Sequence, residues 1–348
     1  PERLVGCDLI LSPRDLVLLR MTDEAVTDST FASRSGLYDF DGNAVRELAG
    51  PVLGKLPSVV ASDTVIGQLR AVPGAELGLR PGIPVVIGAG DRQCEVLGSG
   101  ASEDCPMVSW GTTANVSVPV HERPVPSPAG AVVTRGADGG WLLEGGLSAA
   151  GSFLAWLSRL VDRPVDELAT RAAESPPGAR GVMAVPWLDG ARAPWWRDDA
   201  RAGFVGLGAA HTISDLSRAV IESVAWDVLR CMEVVTAGRL GGSAAQGVTL
   251  GGSGTGLPLW VEVLTSVLGV PATRHRSGEA ASAGAALLAG KALGMGLTLE
   301  QLDPVGDVIA PAPDAVEVYR SLRPQVDHVA GAVLAATKSF PRLGGSGR

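Results

Sequence analysis

The stretch "PVVIGAGDRQCEVLGSG", Pro84–Gly100, places an acidic side chain where a short apolar run meets a segment that can be helical. The run Val85–Ile87 predicts a strand, and the glycines after it predict a turn. Asp91 follows this turn directly. Aspartate is among the residues preferred at a helix N-cap, so a structural role is one interpretation. The other is a general base, because a carboxylate at such a turn can accept a proton from a substrate hydroxyl.

The same order of elements recurs along the chain. Residues 106–120, "PMVSWGTTANVSVPV", predict two strands joined by a tight turn, and residues 139–160 predict a strand followed by a helix. Residues 247–269 predict a strand, a glycine-rich turn and a helix with Pro258 in its first turn. Strands that alternate with helices in this way indicate an α/β fold.

The remaining segments carry weaker signals. Residues 1–60 are predicted to be helical and then rich in loops. Apolar residues four apart predict a long helix over residues 212–238, with Gly238 as its stop. Residues 279–294 are so rich in alanine and glycine that a second element is expected to pack closely against their helix. Residues 340–348 are expected to form a frayed tail.

In open α/β sheets, ligands bind outside the carboxyl ends of the strands. Three glycine-rich turns are therefore expected to form one cleft: Gly88–Asp91, Gly111–Thr113 and Gly251–Gly254. The Gly111–Thr113 turn is either an ordinary hairpin turn or a phosphate cradle of backbone N–H groups and two hydroxyls. The Gly251–Gly254 turn is either a plain strand–helix connection or a surface against which a nucleoside can lie.

Composition excludes several function classes. The chain has 348 residues and a formal net charge of −8, which argues against a nucleic-acid partner. Its four cysteines form no CxxC pair and its four histidines no HExxH, so we expect reduced thiols, no metal site formed by protein residues and a cytoplasmic location. No apolar run of about 18 residues predicts a membrane span.

Familiar nucleotide and nucleophile motifs are absent from the sequence. The segment "GAALLAGKALG" is one residue too long for a P-loop and lacks Ser or Thr after Lys291. No GxGxxG follows a predicted strand, and no GxSxG is present. A dinucleotide fold and a serine hydrolase are therefore disfavoured. Cys94 lies one helical turn after Asp91 and is interpreted as a core residue.

Five stretches together resemble the C-terminal half of the FGGY carbohydrate kinases, in the order in which that family has them. They are "GAGDRQCEVLGSG", "SWGTTANVSV", "EGGLSAAGSFLAWL", "VPWLDGARAPWWRDDARAGFVGL" and "TLGGSGTGLPLWVEVLTSVLG", which lie between residues 80 and 290. The resemblance implies an actin-like, ribonuclease-H-type α/β fold with ATP and Mg²⁺ bound between two domains. It also implies phosphorylation of a sugar or polyol, without a nucleic-acid or membrane partner, and leaves a homodimer open.

The resemblance also implies the roles of individual residues. Asp91 looks like the family's catalytic base and a substrate contact. Residue 92 lies beside the substrate in related kinases, where glycerol kinases carry Gln and pentulose kinases often Asn, whereas this chain has Arg92. The positions that match the family's nucleotide contacts are Gly111, Thr112, Thr113, Gly151, Gly251, Gly252 and Ser253. No residue is assigned to a metal.

The sequence departs from the family pattern in two further places. The loop Gly190–Pro194 reads "GARAP" and lacks the Glu and Thr often found there. The family's opening Asp-x-Gly-Thr loop is also missing, so the chain is expected to be truncated, and a non-catalytic nucleotide-binding or regulatory fragment stays open as the alternative. The predicted boundaries give an N-terminal remnant, a connector, the actin-like C-terminal domain, and a helix with its tail, over residues 1–60, 61–80, 81–310 and 311–348.

Overall fold

The computed structural model describes residues 6–237 and 245–338. Their strands fall into one large sheet and three small ones. In chain order the strands are β1 (Val26–Asp28), β2 (Ser58–Val60), β3 (Val65–Gln68), β4 (Pro84–Val86), β5 (Met107–Trp110), β6 (Ala114–Val120), β7 (Val132–Arg135), β8 (Trp141–Leu147), β9 (Met183–Val185), β10 (Gly203–Val205), β11 (Val248–Gly251), β12 (Ala272–His275) and β13 (Val305–Ile309).

The large sheet has seven strands in the order β13-β12-β11-β5-β6-β8-β7. Strand β11 pairs in parallel with both β5 and β12, and the other neighbours are antiparallel. Because β5 and β11 are parallel neighbours, their carboxyl ends lie side by side, with Gly251 opposite Ser109. The sheet therefore brings two of the three predicted glycine-rich turns to one edge.

The third turn reaches this edge by a different route. Strand β4, which precedes Asp91, pairs antiparallel with β3 in a separate two-stranded sheet. The expectation that this strand belongs to the same sheet as the others is therefore wrong. A three-residue apolar run does not specify its partner, and β3 lies close by in the chain. Residues 1–60 also contain a parallel pair, β1 and β2, that the sequence analysis missed.

The helices cover the large sheet and extend beyond it. Their ranges are Pro13–Thr22, Ser29–Ser35, Arg46–Ala49, Ala71–Leu77, Asp91–Gly98, Gly151–Val161, Val165–Ala172, Ile213–Ala237, Pro258–Leu268, Ala280–Ala292, Leu299–Leu302 and Pro313–Thr337. The strand–turn–strand predicted over residues 106–120 is confirmed, as are the strand–helix units over residues 139–160 and 247–269. Pro258 is in the first turn of its helix, as predicted.

The helix Ile213–Ala237 is the central packing element. It contacts β6 and β8 on one side and other helices on the other, which is why it is buried nearly all round. The C-terminal helix Pro313–Thr337 is tied to it by hydrogen bonds, because the Tyr319 hydroxyl and Arg218 Nε both donate to Glu222 Oε1 at 2.8 Å. The predicted stop at Gly238 and the tail at residues 340–348 lie outside the described residues.

The alanine- and glycine-rich helix Ala280–Ala292 packs directly on the helix Asp91–Gly98. A Cβ at Gly284 would lie 1.9 Å from the Cys94 carbonyl oxygen, and one at Gly98 would lie 1.9 Å from the Ala280 carbonyl oxygen. The backbones therefore touch with no side chain between them. The predicted close packing is confirmed, and its partner is the helix that begins with Asp91.

We predict that Gly284→Ala destabilises the fold, because the added methyl group collides with backbone that cannot rotate away. Overpacking of this kind costs about 1–3 kcal/mol. The free energy of unfolding in urea measures the effect. Gly331→Ala is the matched control, since Gly331 lies in the helix Pro313–Thr337 with nothing within 4 Å of the added carbon.

The control should be neutral or stabilising by up to about 1 kcal/mol, because alanine favours a helix more than glycine does. Equal unfolding free energies for the two variants would contradict the close contact of the two helices.

Candidate active site

A cavity of about 390 Å³ opens beside the start of the helix Asp91–Gly98. Its walls come from the helix Ser29–Ser35, the turn before β6, the end of β8 and the loop after residue 190. The polar side chains among its lining residues are Thr30, Arg34, Asp91, Arg92, Gln93, Thr113, Asn115, Glu144 and Arg192. Of the residues predicted for the site, Asp91, Arg92 and Thr113 line this cavity.

Asp91 is the first residue of its helix, and Gly90 occupies the N-cap position without a side-chain cap. The N-cap interpretation of Asp91 is therefore wrong by one residue. One carboxylate oxygen, Oδ1, accepts the Arg92 backbone N–H at 2.7 Å. The side chain is exposed, and a negative charge in a first helical turn is favourable. The carboxylate is left able to accept another hydrogen bond from a group in the cavity.

A buried carboxylate fixes the turn that carries Asp91. Asp28 is fully buried, and its Oδ1 accepts from Arg14 Nη1 at 2.7 Å. Its Oδ2 accepts the hydroxyls of Thr30 and Ser62, each at 2.7 Å. The Thr30 hydroxyl oxygen in turn accepts the Gly90 backbone N–H at 2.9 Å. Residues far apart in sequence thus hold the backbone immediately before Asp91, and the sequence analysis identified none of them.

Arg92 lines the cavity and also makes an ion pair within its own helix. Its Nη1 donates to Glu95 Oε2 at 2.5 Å. The second oxygen of Glu95 accepts the Ser109 hydroxyl at 2.7 Å and would lie 2.6 Å from a Cβ at Gly251. Arg92 and Gly251, predicted for the two ends of the site, are therefore joined through a single carboxylate.

Glu144, on β8, is a second buried carboxylate in the cavity wall. Arg34 Nη1 donates to its Oε2 at 2.8 Å, and the Thr134 hydroxyl donates to the same oxygen at 3.1 Å. Burial raises the pKa of Glu144, while the nearby Arg34 opposes that rise. The sequence analysis missed Glu144, although a single acid inside the apolar strand "WLLEGGL" was the available signal.

The residues predicted to contact nucleotide form a second group beside the cavity. The Gly151 N–H donates to the Gly111 carbonyl at 2.8 Å, and the Ser152 N–H donates to the Thr112 carbonyl at 3.1 Å. A Cβ at Gly111 would lie 3.2 Å from Ser253 Oγ. Two of the predicted turns and the start of the helix Gly151–Val161 therefore meet at one place.

Gly252 has a structural requirement of its own in this second group. Its φ is +82°, and a Cβ there would lie 2.4 Å from the Trp110 carbonyl oxygen. Glycine is needed at this position for the backbone alone. The side chains of Thr112 and Ser253 are exposed, so they can meet a ligand without strain on the fold.

Other chemistry is less supported by the geometry. Within residues 6–237 and 245–338, no group of three or more His, Cys, Asp or Glu side chains is placed to hold a metal ion. Cys94 is buried, as expected for a core residue, and burial raises the pKa of its thiol. Among the helices described, none is long and apolar enough to cross a membrane.

Comparison with known proteins gives the family. Residues 107–293 match the C-terminal domain of the FGGY family of carbohydrate kinases, and residues 1–98 match the N-terminal domain of that family. A xylulose kinase of Staphylococcus epidermidis is 28% identical over 307 residues, which are 86% of this chain and 61% of that protein. The chain thus spans about six-tenths of the length of that relative. The predicted boundaries at residues 60, 80 and 310 remain predictions.

Solved structures show the fold. The gluconate kinase of Lactobacillus acidophilus superposes with a TM-score of 0.86 at 23% identity, covering 95% of this chain and 69% of that one. Plasmodium falciparum glycerol kinase with ADP gives a TM-score of 0.79 at 21% identity, covering 92% and 66%. The predicted actin-like α/β fold is confirmed. With both family domains matched in order along its length, the chain belongs to the FGGY family of carbohydrate kinases.

Proposed function

We propose that the protein transfers the γ-phosphate of ATP to a hydroxyl of a sugar or polyol, with Asp91 as the general base. The observation that carries the proposal is the exposed carboxylate of Asp91 in a polar cavity, with the Gly111–Thr113 turn beside it. The relatives are named xylulose, glycerol and gluconate kinases, which supports an acceptor of this class.

In this proposal the acceptor hydroxyl donates its proton to Asp91 as its oxygen attacks the γ-phosphorus in line. The bond from that phosphorus to the bridging oxygen breaks, and ADP leaves with the electron pair. Phosphoryl transfer depends mainly on positioning and on donors to the phosphate oxygens. The backbone N–H groups and hydroxyls of the Gly111–Thr113 turn supply such donors, and Gly151, Gly251, Gly252 and Ser253 would support the nucleotide.

The Mg²⁺ implied by the family resemblance has no obvious ligand set in the described part of the chain. No step is therefore routed through it. The fixed turn at Gly90 matters more for the proposal, because a general base must be held within hydrogen-bond reach of the proton that it accepts. A cytoplasmic location and a homodimer remain predictions.

We predict that Asp91→Asn lowers kcat by about a hundred- to ten-thousand-fold, the usual contribution of general base catalysis. ATP affinity should change little, because the carboxylate acts on the acceptor. A coupled ADP-release assay with a panel of polyols, ketoses and sugar acids measures turnover, and calorimetry measures ATP binding. Asp166→Asn is the control, since Asp166 is an exposed carboxylate in the first turn of another helix.

Turnover of Asp91→Asn close to that of the control would remove Asp91 from the chemistry. ATP binding without turnover on any acceptor in the panel would instead favour a non-catalytic nucleotide-binding unit.

We predict that Ser253→Ala weakens ATP binding several-fold, because its exposed hydroxyl is placed to donate to the nucleotide. Thr112→Val should lower kcat more than it weakens ATP binding, since the lost donor serves the transferred phosphate. Gly252 is unsuitable for this test, because any side chain there collides with Trp110 even without ATP. Calorimetry with ATP and initial rates at saturating ATP measure the two effects.

Ser127→Ala is the control for both variants, since Ser127 is an exposed serine in a loop away from the turns. ATP affinity unchanged in Ser253→Ala would place the nucleotide elsewhere. Wild-type kcat in Thr112→Val would remove the threonine turn from phosphate transfer.

A further inference from the structure

Most of the charged side chains in the cavity beside Asp91 are already paired. Arg34 is neutralised by Glu144 at 2.8 Å, and Arg92 is neutralised by Glu95 at 2.5 Å. Each of these pairs is partly or largely buried and includes a hydrogen bond between the charged groups. They leave two charged groups in the cavity wall that have no ionic partner in the described ranges.

The two remaining groups carry opposite charges. Asp91 accepts only the backbone N–H of Arg92. The side chain of Arg192 makes no hydrogen bond or ion pair with any residue that the structure describes, although it lines the same cavity. An acceptor in this cavity therefore meets an unpaired carboxylate and an unpaired guanidinium.

The loop fixes the backbone of Arg192 while leaving its side chain exposed. Ala191 and Ala193, its neighbours, are both buried. The Ala191 N–H donates to the Arg197 carbonyl at 2.9 Å, and the Ala193 N–H donates to the carbonyl of Gly146, another cavity residue, at 3.1 Å. The guanidinium is thus carried on a backbone that needs no ordering when a ligand binds, which reduces the entropy cost of binding.

A buried amide adds a further donor to the cavity wall. Gln93 is 3% exposed and lines the cavity, and its Nε2 has no hydrogen-bond partner among the residues of known placement. A buried donor without an acceptor is costly, so such groups commonly mark a ligand position. A ligand rich in oxygen acceptors would satisfy both this amide and Arg192.

Building on the proposed function, we propose that the acceptor is a sugar acid whose carboxylate is bound by Arg192 while one of its hydroxyls faces Asp91. The planar guanidinium fork matches a carboxylate with two parallel hydrogen bonds. Asp91 would repel the acid end, so the two unpaired charges together orient the molecule. A neutral polyol would leave Arg192 without an anion.

The guanidinium could instead serve a phosphate of ATP, and the geometry favours the acceptor. The cavity that Arg192 lines includes Thr113 but none of the other residues predicted to contact nucleotide: Gly111, Thr112, Gly151, Gly251, Gly252 and Ser253. Its volume of about 390 Å³ lies in the ordinary range for small-molecule sites of about 300–1,000 Å³.

The test compares matched acceptors that differ in one group. Aldonates of five and six carbons, such as D-gluconate, are assayed beside the alditols of the same configuration and a set of ketoses, with ATP in excess. We expect kcat/KM to favour at least one aldonate over its alditol by tenfold or more. Calorimetry of the same pairs gives a binding readout that does not depend on turnover.

Substitutions assign the preference to Arg192. Arg192→Gln should lower kcat/KM for the preferred aldonate by roughly 10- to 100-fold, the usual effect of losing a hydrogen bond to a charged group. The alditol and the KM for ATP should be unaffected. Arg192→Lys, which keeps the charge without the fork, should fall between the two. Arg159→Gln removes the same charge from an exposed position on the helix Gly151–Val161 and should behave as wild type.

Three results would overturn this assignment. Preference for alditols or ketoses over every aldonate would overturn it and leave the kinase function standing. An equal fall for acid and neutral acceptors in Arg192→Gln, or a raised KM for ATP, would place the guanidinium on the phosphate. Absence of ATP-dependent phosphorylation of every acceptor would contradict the proposed function itself, and with it this inference.

Discussion

The site depends on one buried charge that has to be satisfied. Asp28 has no exposure to solvent, and a carboxylate in such a place is destabilising by several kcal/mol unless it is paired and fully hydrogen-bonded. Arg14, Thr30 and Ser62 meet this requirement, and the Thr30 hydroxyl links the group to the Gly90 N–H. The three segments that contribute these residues therefore assemble around Asp28, and the position of Asp91 follows from that assembly.

A second carboxylate connects the two halves of the site. Glu95 takes the charge of Arg92 on one oxygen and the Ser109 hydroxyl on the other, and it packs against Gly251. A change in the position of Arg92 on the acceptor side is thus felt at the end of β11 on the nucleotide side. Such a link does not need a long pathway, because one side chain touches both groups.

Local sequence patterns predicted the parts of the site that are continuous in the chain. The turns at Gly111 and Gly251 and the helix after Pro258 were found because glycine, proline and apolar spacing act over a few residues. The N-cap position was wrong by one residue, since Gly90 and Asp91 both suit a helix start. Asp28, Glu144 and the unpaired state of Arg192 were not predictable, because each depends on partners more than 25 residues away or on their absence.

The helices Asp91–Gly98 and Ala280–Ala292 touch through their backbones, at Gly98 and Gly284. Sliding of one packed helix over another normally proceeds by small adjustments of the side chains between them. Here no such layer exists, so shear between these two helices is blocked and they must travel as one rigid body. Any opening or closing of the cleft has to occur at a hinge outside this pair, and Asp91 keeps its position relative to Ala280–Ala292 throughout the motion.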